Sequence, residues 1–318
     1  MARPSVSRKS KYPISKEFFP LTLFTAPMNP KIIAYAQKYM GVPQFVWNDK
    51  ELVVVSHKIK SYDDSCIEAL VMTPKDIGRN APCLIDIHGG GFVFEAAPYH
   101  YKLAMAYAKE AHCIVVFVRY RLAPAHPFPI PQEDCFAAAS WVFGNAHKLG
   151  IDPARVGIGG DSAGSALAVA TCLMMRNRGL DAHPLFQLLV YPWLDDRDVS
   201  ESYHRFTDTP VWNSSLSKAV GPLINPDPSA TRLAYRSPVE AESHADLPPA
   251  YIEVAEFDCL HDDGEYYAQI LRDEDIDVEF HETSGTVHGF DMIYSAPTTQ
   301  AMLAARVAFM RKLFESDS

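Results

Sequence analysis

A serine with glycine two positions before and two after it, Gly160-Asp161-Ser162-Ala163-Gly164, lies between the apolar run ARVGIGG and an Ala-rich run with helical spacing. On a sharp strand-to-helix turn a serine hydroxyl projects above a sheet, and small residues at those two positions avoid clashes in a strained backbone. The helix start adds an unpaired N–H and the positive end of a dipole, both suited to a developing oxyanion. The chemistry such a turn fits is nucleophilic attack on a carbonyl. A second segment, His88-Gly89-Gly90-Gly91, follows the apolar run CLIDI. Consecutive glycines let backbone N–H groups approach a carbonyl oxygen without side-chain obstruction. A phosphate loop would require G-x-G-x-x-G or a following Lys-Ser/Thr, and neither is present. His88, with Gly89, is expected to brace this loop and not to act as a base.

A serine nucleophile needs a base and an acid that orients it. Asp258 ends the run AYIEVAEF and His288 follows the run DVEFHET, so both fall in loops at the same sheet edge as Ser162. Asp262 and Asp263 are alternative acids, and His261 and His281 alternative bases. Asp161 reads as structural. Trp193, Phe206 and Trp212 form either a hydrophobic wall for a substrate or ordinary aromatic core.

The elements that must position these groups alternate. ELVVVSHKIKS and CIEALVMTP read as antiparallel strands around the turn SYDDS. CLIDI reads as a buried strand feeding a loop, and CIVVFV as a central parallel strand covered on both faces. CFAAASWVFGNAHKLG reads as a helix ending at Gly150, and SAGSALAVATCLMMRNRGL as a helix closed by Gly179. HPLFQLLVYPWL, AYIEVAEFD and DVEFHETSG supply further strands, with helical segments after the last two. This order predicts an α/β fold: a central, mostly parallel, eight-stranded sheet with helices on both faces. The first 50 residues and residues 195–245 break the rhythm. Together they are expected to form a helical cap (1–50 and 195–245) over a catalytic domain (51–194 and 246–318), at the sheet edge where such folds bind ligands.

With these segments in place, the chain resembles the hormone-sensitive-lipase family of α/β-hydrolases, the branch with a GDSAG serine motif. The landmarks are HGGGF at 88–92, YRLAP at 120–124, FP at 128–129, GDSAG at 160–164, LPP at 247–249, Asp258 with LHDDG behind it, and HGF at 288–290. The resemblance implies a serine carboxylesterase with Ser162 as nucleophile, His288 as general base and Asp258 orienting it. It also implies an oxyanion hole made by the N–H groups of Gly90, Gly91 and Ala163. The expected substrate is a small ester with a short- to medium-chain acyl group. Lipase, amidase or deacetylase variants of the same chemistry are alternatives. So is a non-catalytic small-molecule receptor on this scaffold. The chain departs from the family pattern at Ala125, where an acid is common, at Cys259, where proline is usual, and at Asp263, where Glu is frequent.

Composition narrows the remaining classes. The 318 residues are 48% hydrophobic and 21% charged, with a net charge of −10. This is a globular composition with no basic block to neutralise phosphates, so nucleic acid is not an expected partner. The six scattered cysteines lack zinc-ligand spacing, and acyl transfer by a serine needs no metal or organic cofactor, so none is expected. They suit a reducing compartment. The basic N-terminus, interrupted by Pro13 and Pro20, is neither a secretory signal nor a membrane span. A cytoplasmic location without stable membrane association follows as the expectation. A homodimer through DVEFHET and the last helical run is a further expectation.

Overall fold

A computed structural model describes residues 11–227 and 233–316. Positions 1–10 and 228–232, within the two segments expected to form a cap, therefore lie outside the described residues, as do the last two positions. Eight strands form one sheet in the order β1-β2-β4-β3-β5-β6-β7-β8. They are β1 (Leu52–Lys60), β2 (Cys66–Pro74), β3 (Ala81–Ile87), β4 (Ile114–Arg119), β5 (Ile151–Asp161), β6 (Gln187–Val190), β7 (Ala250–Phe257) and β8 (Val278–Val287). Pairs β1–β2 and β2–β4 are antiparallel and the other pairs parallel. The central β4 buries Ile114 through Val118 without interruption, because helices cover both of its faces. The edge strand β1 carries Lys58 and Lys60, charges that discourage pairing with another chain.

The helices are α1 (Pro30–Tyr39), α2 (Gln44–Trp47), α3 (Pro98–Glu110), α4 (Ile130–Leu149), α5 (Ala163–Asn177), α6 (Glu201–Arg205), α7 (Ser214–Ile224), α8 (His261–Asp273) and α9 (Pro297–Glu315). On one face of the sheet α4 buries Cys135, Ala138, Ala139, Val142 and Ala146 together with α5 and α8. That is one helical stripe at i, i+3, i+4, i+7 and i+11. On the other face α9 buries Leu303, Val307, Met310 and Phe314 beside α3. No helix of the described residues is long and apolar enough to cross a membrane. Five cysteines are buried and unpaired, and Cys66 is exposed.

Three elements differ from the sequence reading. Helix α4 begins at Ile130, five residues ahead of the run CFAAASWVFGNAHKLG that reads as helical, because Pro131 occupies the first turn where no N–H is needed. The run HPLFQLLVYPWL yields only four residues of strand: Tyr191 turns to φ 34° and Pro192 cannot continue the ladder. Helix α3 has no counterpart in the sequence reading.

The two segments that break the rhythm meet in space. Thr25 and Val211 form a parallel bridge, with Ala26 N–H donating to Val211 O at 3.0 Å and Val211 N–H to Phe24 O at 2.8 Å. Gln37 of α1 then reaches the carbonyls of Val93 and Ala123 at 2.8 and 2.7 Å, tying this layer to the loops after β3 and β4.

Beneath the sheet edge, Arg306 of α9 is wholly buried. It donates to both oxygens of Glu253 at 2.9 and 2.5 Å and lies 3.1 Å from Asp291. Removing one member of such a set leaves uncompensated buried charge. Arg306→Met is expected to lower the unfolding free energy by about 3–5 kcal/mol, measured by urea denaturation; an unchanged midpoint would show that the set contributes nothing to stability.

Candidate active site

Ser162 joins β5 to α5 at φ 54°, ψ −120°, in the left-handed region that a serine occupies only when its surroundings enforce it. They do so here. Its N–H donates to Val190 O at 2.8 Å, and its carbonyl accepts from Ser165 and Trp193 N–H at 3.0 and 3.2 Å. Helix α5 packs so closely on β3 that a Cβ at Gly164 would collide with the carbonyl of Ile87. The turn therefore requires glycine there for space.

His288 follows β8 and Asp258 follows β7, and the parallel pairing of these strands brings both to the serine. Ser162 Oγ–H donates to His288 Nε2 at 2.8 Å, and His288 Nδ1–H donates to Asp258 Oδ2 at 2.6 Å. Asp258 Oδ1 accepts the Leu260 N–H at 3.0 Å. All three side chains are nearly or fully withdrawn from solvent. The alternative acids and bases are engaged elsewhere. Asp263 accepts from the N–H groups of Leu194 and Asp195, both at 3.2 Å, and burial pushes its carboxyl well above the usual range. Asp262 accepts from Ser202 N–H at 2.8 Å. His261 lies beside Asp262 and Glu282, and His281 bonds Glu279.

The glycine loop stands over the same point. Gly90 and Gly91 adopt φ 108° and 58°, and the N–H groups of Gly90, Gly91 and Ala163 make no intramolecular hydrogen bond among the described residues. The loop is held from both sides. Gly89 N–H donates to Asp161 Oδ1 at 2.9 Å, while His88 Nδ1–H donates to Gly89 O at 2.7 Å and the Tyr120 hydroxyl to His88 O at 3.0 Å. The His88 ring stacks on Tyr120 at 4.5 Å. Asp161 also receives His100 Nε2 at 3.2 Å. Burial would raise its pKa, but the adjacent His100 and the Gly89 N–H more than offset this and hold it below the ordinary aspartate value. His100 and Tyr99 are absent from the sequence reading. Pro98 does mark a helix start, yet nothing local shows that this turn faces Asp161, a residue 61 positions away.

A cavity of about 320 Å³ opens above the serine. Gly90, Gly91, Ser162 and His288 form its floor; Phe94, Val211, Trp212 and Met292 form its walls; Phe24, Ile32, Ala36 and Met40 of the N-terminal segment close it. Of the three aromatics singled out in the sequence, only Trp212 lines it. Its ring is 6.4 Å from that of His288, and its Nε1–H is held by Ser217 Oγ at 2.9 Å. Trp193 stands behind it, against Trp212 and Phe92 at 5.9 and 5.7 Å. Phe206 packs on Tyr12 and Phe257. Both are buried core, because the chain leaves the sheet at Tyr191 and carries Trp193 under the wall. The ligand atoms of His261, Asp262 and Glu265 lie within 4.8 Å of one another and could hold a cation, but none of these residues lines the cavity.

Burial, reinforced by the neighbouring His100 and only partly opposed by the Gly89 carbonyl and Asp161, pushes His88 down to about 3. An unfolded histidine takes up a proton below about 6.5, so the folded state binds fewer protons between these values. Stability from this group is complete above pH 6.5 and is lost as pH falls toward 3. Between pH 7 and pH 5 the loss attributable to His88 is about 2 kcal/mol. His88→Asn, which keeps a donor for Gly89, should show a correspondingly shallower loss in urea unfolding over that interval; equal slopes would mean that His88 titrates normally.

The fold and the site have counterparts among known proteins. The alpha/beta hydrolase fold family matches residues 84–292. Carboxylesterase NlhH from Mycobacterium tuberculosis is 32% identical over 298 residues, covering 91% of this chain and 92% of that protein. Esterase LipI from the same organism is 38% identical over 217 residues, 66% of each chain. The crystal structure of esterase LipW from Mycobacterium marinum superposes with a TM-score of 0.87 over 95% of this chain and 96% of that one, at 24% identity, a likeness of fold. This protein belongs to the alpha/beta hydrolase fold family, in its branch of hormone-sensitive-lipase-like carboxylesterases.

Proposed function

We propose that the enzyme is a serine carboxylesterase working by acyl transfer, with 51–194 and 246–318 as its catalytic domain and 1–50 and 195–245 as its cap. The observation that carries this reading is the continuous hydrogen-bonded chain Ser162–His288–Asp258 on the floor of a cavity. Ser162 Oγ attacks the ester carbonyl as His288 Nε2 takes its proton. Asp258 holds the imidazole in the tautomer that presents Nε2 to the serine and stabilises the imidazolium. The carbonyl oxygen turns toward the N–H groups of Gly90, Gly91 and Ala163. Donors of this kind contribute about 3–4 kcal/mol each in comparable sites. The alcohol leaves with the proton from His288. Water, deprotonated by the same ring, then releases the acid and restores Ser162.

The cavity's size and its aromatic and aliphatic walls support uncharged substrates with a short- to medium-chain acyl group. Trp212 limits the space, since its ring already abuts the Cα of Gly91 closely enough to exclude a side chain there.

Hydrolysis of p-nitrophenyl esters from acetate to laurate, with Ser162→Ala as the blank, tests both parts. The native enzyme should prefer the short and middle members, and Ser162→Ala should lose about 10⁴-fold or more in kcat. Serine-independent turnover would remove the mechanism, and a maximum at laurate would remove the substrate class. Asp258→Asn should cost about 10⁴-fold. Asp263→Asn should cost little, since an amide oxygen can accept from the same two N–H groups; the reverse order would reassign the acid.

A further inference from the structure

The N-terminal segment differs from the rest of the chain in charge and in surface at once. Residues 1–47 hold seven basic residues and one acid, a balance of +6 within a chain of net −10. Nine of the fourteen exposed large hydrophobic side chains among the described residues fall between positions 19 and 47. Singly exposed apolar residues need no explanation, but a concentration of this kind marks an interaction surface.

Its layout is directional. Ile32, Tyr35 and Tyr39 lie at i, i+3 and i+7 on one exposed stripe of α1, with the two tyrosine rings 4.7 Å apart, while Ile33 points into the core at 2% exposure. The stripe runs into the cavity mouth, where Phe24, Ile32 and Met40 are both exposed and part of the lining. Lys16, Lys31 and Lys38 are exposed and have no carboxylate partner among the described residues. The acid of the segment, Glu17, is turned inward, accepting the Thr298 hydroxyl at 2.5 Å.

We propose that this face docks reversibly on an anionic phospholipid bilayer and sets the cavity mouth at the lipid–water boundary. Exposed aromatics beside unpaired lysines are what an anionic interface accepts: rings at headgroup depth and cations against phosphate. A second copy of the chain fits less well, because a two-fold contact would set the same lysines against each other. The docking is adsorption, not anchorage, and does not depend on the catalytic reading.

The test uses full-length Ser162→Ala protein, so that binding is read without turnover, in sedimentation with vesicles of phosphatidylcholine alone or mixed with phosphatidylglycerol. Binding to the mixed vesicles should be at least about tenfold tighter and should weaken as salt screens it. Each lysine near such a surface contributes about fivefold, so Lys31→Glu with Lys38→Glu should lower binding by about 25-fold or more. Replacing Phe19, Leu23, Tyr35 and Tyr39 by serine should lower it at least about tenfold. The same four changes in the active enzyme should leave turnover of a water-soluble ester unchanged, since none of the four lines the cavity. Equal or absent binding to the two vesicle types would overturn the proposal, as would variants that bind like the parent. Light scattering that showed a dimer lost in the surface variants would assign the face to a second copy instead.

Discussion

The left-handed turn at Ser162 is the constraint on which the remaining geometry depends. A non-glycine residue in that region costs about 1–3 kcal/mol and persists only where its surroundings over-determine it. Here three strands and a helix do so. β6 takes the serine N–H, β5 delivers the chain, and β3 presses against α5 so closely that Gly164 can carry no side chain. Asp161, one residue earlier, extends the constraint to the glycine loop through the Gly89 N–H. Ser162 and the glycine loop are thus linked through Asp161, beside the ties that His88 and Tyr120 make to the same loop.

The same aspartate borders a buried polar layer under the site. Asp86, Asp161, Asp291, Arg306 and His100 line a small internal cavity of about 20 Å³. Burial, with Asp161 adding to it, raises Asp86 far above the ordinary aspartate value. Burial raises Asp291 as well, although Arg306 opposes this. One guanidinium on the last helix serves two carboxylates, Glu253 and Asp291. Tyr191 links this layer upward. Its hydroxyl donates to Asp291 at 3.2 Å while its ring meets that of His288 at 4.8 Å. The C-terminal helix is consequently part of what holds the His288 ring in position, although it does not line the larger cavity above Ser162.

Chain from two distant parts of the sequence closes the cavity. The Thr25–Val211 bridge joins them, so the wall containing Trp212 and the roof containing Phe24 and Ile32 form one layer. A short parallel bridge and a few side-chain bonds, such as Gln37 to Val93 and Ala123, secure that layer. The sheet below is secured by eight paired strands. Such differences in the number of ties place local opening where the ties are fewest, which is over the mouth.

Much of this was legible in the residues. Strand-turn-helix around GDSAG, glycines after CLIDI, and Asp258 and His288 after β-branched runs are local patterns, and local sterics enforce them: glycine where backbones nearly touch, apolar runs where both faces of a sheet are covered. What the sequence left open was decided by long-range packing. Position at the end of β7 favours Asp258 over Asp262 and Asp263 without excluding them; the register of β7 on β8 brings Asp258 to the His288 ring, while Asp262 and Asp263 accept N–H groups of Ser202 and of Leu194 and Asp195, 60 to 69 positions away. Trp193, Phe206 and Trp212 are equivalent as aromatic residues. Only the turn at Tyr191 sends the first behind the wall, and only the packing of Tyr12 and Phe257 takes the second into the core. The pairing of His100 with Asp161 and of Arg306 with Glu253 joins residues far apart in the chain. A sequence pattern records the environment each residue requires, but not which distant residue supplies it, because that depends on how the helices pack once the sheet has formed.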